Sequence, residues 1–156
     1  MSTTLARLEG FFAQWQDRLC GDRAEVHFTA RALAAPPGLH SACADSFVTS
    51  LGFQAIEGNW ELLDAEAAPD EPRSALAALV EAFASDMALP GQKWLGDEGA
   101  RAIAADFLAC FDAATRQIVT NRMYFGWNPI TGASIEWAFV AFDDSAIALL
   151  LATAED

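Results

Sequence analysis

The feature that most constrains the fold is the C-terminal stretch, residues 116–153, where three strand-like runs are separated by two turns. The runs read RQIVTNRMYFGW, IEWAFVAF and AIALLLAT. The connecting segments, NPITGAS and DDS, contain the Asn, Pro, Gly, Asp and Ser residues that favour turns. Short turns join antiparallel neighbours, so the stretch predicts a three-stranded meander. Both alternating sets of the middle run are apolar, which predicts an interior strand covered on both faces.

The rest of the chain predicts helices and strands without regular alternation. Apolar positions at helical spacing predict an amphipathic helix over residues 3–20 and further helices over 39–51, 74–87 and 97–113. Asp97 is the expected cap of the last helix. Residues 25–33 alternate as a half-exposed strand, and residues 53–56 and 60–63 flank a tight turn that predicts a hairpin.

These patterns together predict an α+β fold with a single domain over residues 1–156. Its antiparallel sheet, which ends in the C-terminal three-stranded meander, is expected to pack against about four helices. At 53% hydrophobic residues, the chain has enough apolar material for a true core. If the helices cover only one face of the sheet, the other face must pack against the sheet that contains the first predicted strand, residues 25–33, or against a second subunit. A homodimer is therefore a hypothesis.

The charge is strongly negative and unevenly distributed. The formal net charge is −13, yet residues 1–35 contain four acids and four bases, so the whole excess lies after residue 35. Such a field repels phosphate backbones and anionic lipid and attracts basic proteins. We therefore expect no nucleic acid and no membrane partner. The alternative is that the charge only keeps the protein in solution.

The most acidic stretch, residues 57–71, carries six acids and no base. Three tryptophans lie in or beside irregular segments, where an indole either anchors an interface or covers an end of the protein's own core. The leading hypothesis is a small acidic protein that docks a basic partner protein, in an inhibitor or immunity-type role. The predicted partner-binding residues are Glu57, Trp60, Glu61, Asp64, Glu66, Asp70, Glu71, Trp94 and Trp127.

The alternative hypothesis is a small-molecule binding protein or enzyme with a pocket at the end of the C-terminal sheet. Glu136 is the only acid in its apolar strand, and a covered carboxylate is costly unless it is paired. Arg122 or Tyr124 is the predicted partner. His40 and Cys43, three apart on a helix, would share a face as a nucleophile with its base or as metal ligands. The residues of this alternative pocket are Arg122, Tyr124, Glu136, Asn128, His40 and Cys43.

Common motifs for phosphate, dinucleotide or zinc binding and the nucleophile elbow are absent. We therefore predict no catalytic residue, no metal site and no cofactor. The three cysteines are far apart and form no C-x-x-C pair, which favours reduced thiols and a cytoplasmic location. The alanine-rich, lysine-poor composition suggests a bacterial source. No apolar run approaches the length of a membrane helix.

Overall fold

A computed structural model describes residues 3–21, 24–123 and 126–155. The helices are α1 (Thr3–Leu19), α2 (His40–Ser50), α3 (Ala75–Ala84) and α4 (Gly96–Ala109). The strands are β1 (Glu25–Ala32), β2 (Glu61–Leu63), β3 (Gln117–Thr120), β4 (Arg122–Met123), β5 (Gly126–Trp127), β6 (Ile135–Phe142) and β7 (Ala146–Ala154). None of the helices within these ranges is both long and apolar enough to cross a membrane.

Five strands form one antiparallel sheet in the order β1-β7-β6-β3-β2. The strands β3, β6 and β7 are adjacent, with Val119 opposite Val140 and Val140 opposite Leu149. This confirms the predicted α+β fold and its C-terminal meander. The first run of the meander is divided at Asn121, and β4 and β5 pair with each other in a separate two-stranded sheet.

Both faces of the central strands are covered, because side chains alternate along each strand. On one face, Phe139 and Leu150 belong to a buried cluster with residues of α1, α3 and α4. On the other face, Val140 and Leu149 pack with residues of α2 and the segment that follows it, together with Ile130. The chain's own residues therefore cover the second face, and the reason for expecting a second subunit there no longer applies.

Residues 53–60 do not form the predicted hairpin, because the side chain of Asp45 holds this segment against α2. Its Oδ1 accepts hydrogen bonds from the backbone N–H of Ile56 and from Nε1 of Trp60, both at 2.8 Å. The segment then turns through Glu57 and Gly58, whose φ angles are +50° and +85°. Strand β2 consequently pairs with β3 instead of a preceding strand.

Two helix details also differ from the sequence pattern. The helical spacing of Leu8, Phe12 and Trp15 predicts that Phe12 lies on the buried face of α1, but Phe11 is buried and Phe12 is half-buried. Helix α4 begins after Leu95, without a side-chain cap, so Asp97 is a residue of its first turn and not its cap. Helix α3 does have a side-chain cap, since Oγ of Ser74 accepts a hydrogen bond from the N–H of Ala77 at 3.1 Å. The cap ends the irregular loop that connects β2 to α3.

Candidate functional site

The six acids of residues 57–71, here called the acidic segment, lie in the turn before β2, on β2 at the edge of the sheet, and in the loop beyond it. Strand β2 is the last strand on this side of the sheet. Glu61 is half-buried, and the other five acids are exposed: Glu57, Asp64, Glu66, Asp70 and Glu71. The tertiary structure thus keeps the acidic segment on the surface.

Two of these acids are neutralised by arginines. Glu61 lies 3.2 Å from Arg73, and Glu66 lies 2.6 Å from Arg116. The guanidinium of Arg116 also donates to the backbone carbonyl of Leu108 at 2.9 Å, which holds the ion pair against the end of α4. Glu66 is therefore part of a structural contact rather than a free surface charge.

The four remaining acids have no cationic partner within the described part of the chain. Asp64 accepts a hydrogen bond from the N–H of Glu66 at 2.9 Å, and Glu71 accepts one from the N–H of Ala68 at 2.8 Å. These bonds shape the loop but leave each carboxylate exposed. Glu57 and Asp70 are exposed, and their side chains make no hydrogen bond or ion pair with another described residue. The segment therefore presents four uncompensated carboxylates.

The three tryptophans predicted as anchors are placed differently. Trp60 is only 4% exposed, and its indole N–H is bonded to Asp45, so it is a core residue and cannot anchor a partner. Trp94 is half-buried and packs on Phe83 with 5.3 Å between ring centroids. Trp127 is half-buried on β5. Only Trp94 and Trp127 offer part of an indole to solvent, and they belong to elements outside the acidic segment.

Glu136 is fully buried and is satisfied by donors that the sequence pattern did not suggest. Its Oε2 accepts from Nδ2 of Asn121 and from the N–H of Ile130, both at 2.8 Å. Its Oε1 accepts from Thr131, through the N–H at 3.0 Å and the hydroxyl at 2.6 Å. The carboxylate thus fastens the loop before β6 to the end of β3, which is a structural role.

The prediction that Arg122 pairs with the carboxylate of Glu136 is wrong. Nε of Arg122 instead donates to the backbone carbonyl of Glu136 at 3.1 Å. Its guanidinium lies between two indoles, 4.3 Å from the ring of Trp137 and 4.9 Å from that of Trp127. Burial lowers the pKa of Arg122, while the nearby carboxylates of Glu81 and Glu136 raise it. An arginine still keeps its charge, so this stack is a cation–π arrangement. The other predicted partner, Tyr124, lies outside the described residues.

The residues of the alternative pocket that the structure describes do not form one site. Asn128 is used by the loop network, since its carbonyl accepts from Nδ2 of Asn121 at 3.0 Å. His40 and Cys43 lie on α2, and Cys43 packs on the sheet face opposite the one that carries Trp137. Burial raises the pKa of the Cys43 thiol, which disfavours the thiolate that a nucleophile or metal ligand needs.

The described residues contain no group of three or more His, Cys, Asp or Glu side chains arranged to hold a metal ion. A cavity of about 220 Å³ adjoins Arg122 and Trp137, and Glu81 and Asp86 also line it. A wider cavity of about 570 Å³ lies beside Asp143, and its described lining contains none of the predicted site residues. Ligand sites commonly enclose about 300–1,000 Å³, so the cavity beside Arg122 is small for that purpose.

Sequence reasoning missed that several acids are internal hydrogen-bond acceptors. Asp143, predicted as a turn residue, is 1% exposed and binds the hydroxyl of Thr4 at 2.6 Å and the N–H of Asp112 at 2.9 Å. Burial alone would raise the pKa of Asp143, but hydrogen bonds from Asp112, Thr4 and Ser145 lower it below its usual value. Asp86 likewise accepts from two successive backbone N–H groups at 2.9 Å. Part of the negative charge is therefore structural.

Comparisons with known proteins give no match: no family model, no curated protein sequence and no solved structure is similar to the chain. The site therefore has to be interpreted from its own chemistry.

Proposed function

We propose that the protein binds a basic partner protein through the acidic segment, as an inhibitor or immunity-type protein would. The observation that carries the proposal is that four carboxylates of the acidic segment are exposed and have no cationic partner in the described structure, namely Glu57, Asp64, Asp70 and Glu71. Uncompensated negative charge at a surface attracts a cationic partner.

The acidic segment is held in place by ion pairs and strand pairing, and this supports the same proposal. Glu61 and Glu66 are tied to Arg73 and Arg116, and β2 is paired with β3, so the loop is held at both of its ends. A held loop loses little conformational entropy when a partner docks. The free carboxylates then act mainly on association, because charge complementarity raises encounter rates more than it raises affinity.

Two exposed acids provide a clean test. In the variant Glu57→Gln with Asp70→Asn, two uncompensated charges are removed without breaking a described contact. The matched control is Glu9→Gln with Asp17→Asn, which removes two exposed charges from α1. The immobilised wild-type protein is first used to capture proteins from its host lysate, and association of each purified basic protein with all three forms is then measured.

We expect the association rate at low salt to fall by about three- to tenfold for the acidic-segment variant and to change little for the control. Raising the ionic strength from 0.01 to 0.15 M shortens the Debye length from about 30 Å to about 8 Å and should remove most of the difference. Equal losses for both variants would mean non-specific attraction and would contradict the proposal. A failure to capture any basic protein would contradict it as well.

The alternative hypothesis, a small-molecule site, has less support. Of its five residues that the structure describes, only Arg122 lines the cavity of about 220 Å³, whereas Asn128 and Glu136 belong to the loop network and His40 and Cys43 lie on α2. It remains a prediction, which the Arg122→Ala variant would test in a thermal-shift screen of small anions.

A further inference from the structure

The edge of the sheet opposite β2 has the features of a self-pairing strand. Strand β1 has eight residues and pairs only with β7 among the described strands. Its register runs without a bulge from Glu25 opposite Thr153 to Ala32 opposite Ala146. Open edges are normally protected by proline, by charged side chains (lysine above all), by bulges or by short length. Strand β1 has no proline, lysine or bulge, and its two charged residues, Glu25 and Arg31, have opposite signs. By contrast, the edge strand β2 has only three residues.

We propose that β1 pairs with β1 of a second copy of this chain, forming a symmetric dimer with one continuous sheet of ten strands. In an antiparallel pair related by a two-fold axis perpendicular to the sheet, one residue must lie opposite its own copy. The register centred on Phe28 places Glu25 opposite Arg31 of the other copy, twice per dimer. The neighbouring registers, centred on His27 or Thr29, do not pair these two charges.

The charge distribution supports this surface in particular. The chain has a formal charge of −13, which opposes self-association, but residues 1–35 carry equal numbers of acids and bases. Strand β1 and helix α1, which packs on it, therefore carry no net charge, and two copies can approach there without net repulsion. The dimer surface lies on the edge opposite the acidic segment and leaves that segment free.

The aromatic side chains at the centre of β1 support the same pairing. Phe28 is half-buried and stacks on the half-buried Phe12 of α1, with 4.6 Å between ring centroids and 8° between planes. In the proposed register the two Phe28 rings meet at the axis. Cross-strand aromatic pairs are among the favourable neighbours in sheets, and closure would remove the remaining exposed part of these rings from water.

A charge exchange tests both the surface and its register. Glu25→Arg alone and Arg31→Glu alone each place like charges opposite each other twice per dimer, whereas the double variant restores opposite charges. Both positions are exposed, although Arg31 also bonds to Oγ of Ser50 at 3.1 Å, so circular dichroism must first show that each variant is folded. The dimer dissociation constant is measured for all four forms by sedimentation velocity.

We expect wild-type dimers at micromolar concentration, dissociation constants about tenfold higher for each single variant, and recovery to within about threefold for the double variant. Hydrogen exchange of the wild-type protein gives an independent measurement: amides of β1 should be more protected at high than at low protein concentration. A wild-type monomer at 100 µM, single variants that dimerise normally, or β1 amides whose exchange is independent of concentration would each overturn the proposal.

Discussion

The buried carboxylate of Glu136 provides the sharpest prediction, through the substitution Glu136→Gln. Glutamine has the same shape but replaces one acceptor oxygen by an NH₂ group. Both positions already face N–H donors, because Oε2 binds Asn121 and Ile130 and Oε1 binds Thr131. The side-chain amide of Asn121 cannot flip to offer its oxygen to the new NH₂ group, since its Oδ1 accepts a hydrogen bond from the N–H of Ala138 at 2.9 Å. In the most favourable arrangement the new NH₂ lies beside Thr131. The hydroxyl of Thr131 can rotate to accept a hydrogen bond from the NH₂, whereas the backbone N–H of Thr131 can only donate and is left without an acceptor.

Two effects decide the magnitude. Leaving one N–H without an acceptor costs about 1–3 kcal/mol, and the bonds that remain lose the additional strength of a charged acceptor. Removing the buried charge works in the opposite direction, because its desolvation penalty is relieved. Four hydrogen bonds already compensate that charge in the fold, so the losses should exceed the gain. We expect the free energy of unfolding to fall by about 2–4 kcal/mol.

Urea unfolding at pH 7 measures this change, and a thermal melt should show Tm lower by roughly 5–15 °C. The control is Glu9→Gln on the exposed face of α1, which should alter stability by no more than about 0.5 kcal/mol. If Glu136→Gln is as stable as this control, the hydrogen-bond network does not hold the loop and the structural role assigned to Glu136 is wrong.

Three further predictions follow from buried polar groups. Because the pKa of Asp143 is lowered in the fold, its contribution to stability is present above the unfolded carboxyl pKa and is lost as pH falls through the folded value. The stability difference between wild type and Asp143→Asn, measured by urea unfolding, should therefore shrink below about pH 4. The pKa of Cys110 is raised to about 11, so at pH 8 about one thiol in a thousand is thiolate; a thiol reagent should modify the exposed Cys20 first and Cys110 much more slowly. Trp60→Phe keeps most of the buried ring but loses the hydrogen bond to Asp45, which should cost about 1–3 kcal/mol in urea unfolding.

Each of these predictions has an outcome that would contradict it. A constant difference between wild type and Asp143→Asn from pH 7 to pH 3 would show that the carboxylate is not preferentially stabilised in the fold. Equal modification rates for the two cysteines, measured by mass spectrometry of peptides, would show that burial does not protect Cys110. For Trp60→Phe, unchanged stability would mean that the segment is held to α2 without the indole.

The fold was largely predictable because alternation in a strand fixes which side chains share a face. The apolar pattern of residues 135–142 required cover on both sides, and the structure provides it on both sides of β6. Local patterns did less well where a distant side chain intervenes. Residues 53–60 resemble part of a hairpin in sequence. Asp45, on the preceding helix α2, accepts hydrogen bonds from two of their N–H groups and holds the segment in an irregular conformation.

The candidate site shows the same division. The sequence by itself determined how many acids there are and that residues 57–71 carry six of them without a base. Only the tertiary structure decided which acids face solvent, because a carboxylate is buried only where several donors converge on it. Glu136 and Asp143 each accept several hydrogen bonds and are buried, whereas Glu57 and Asp70, which accept none from the described residues, remain at the surface.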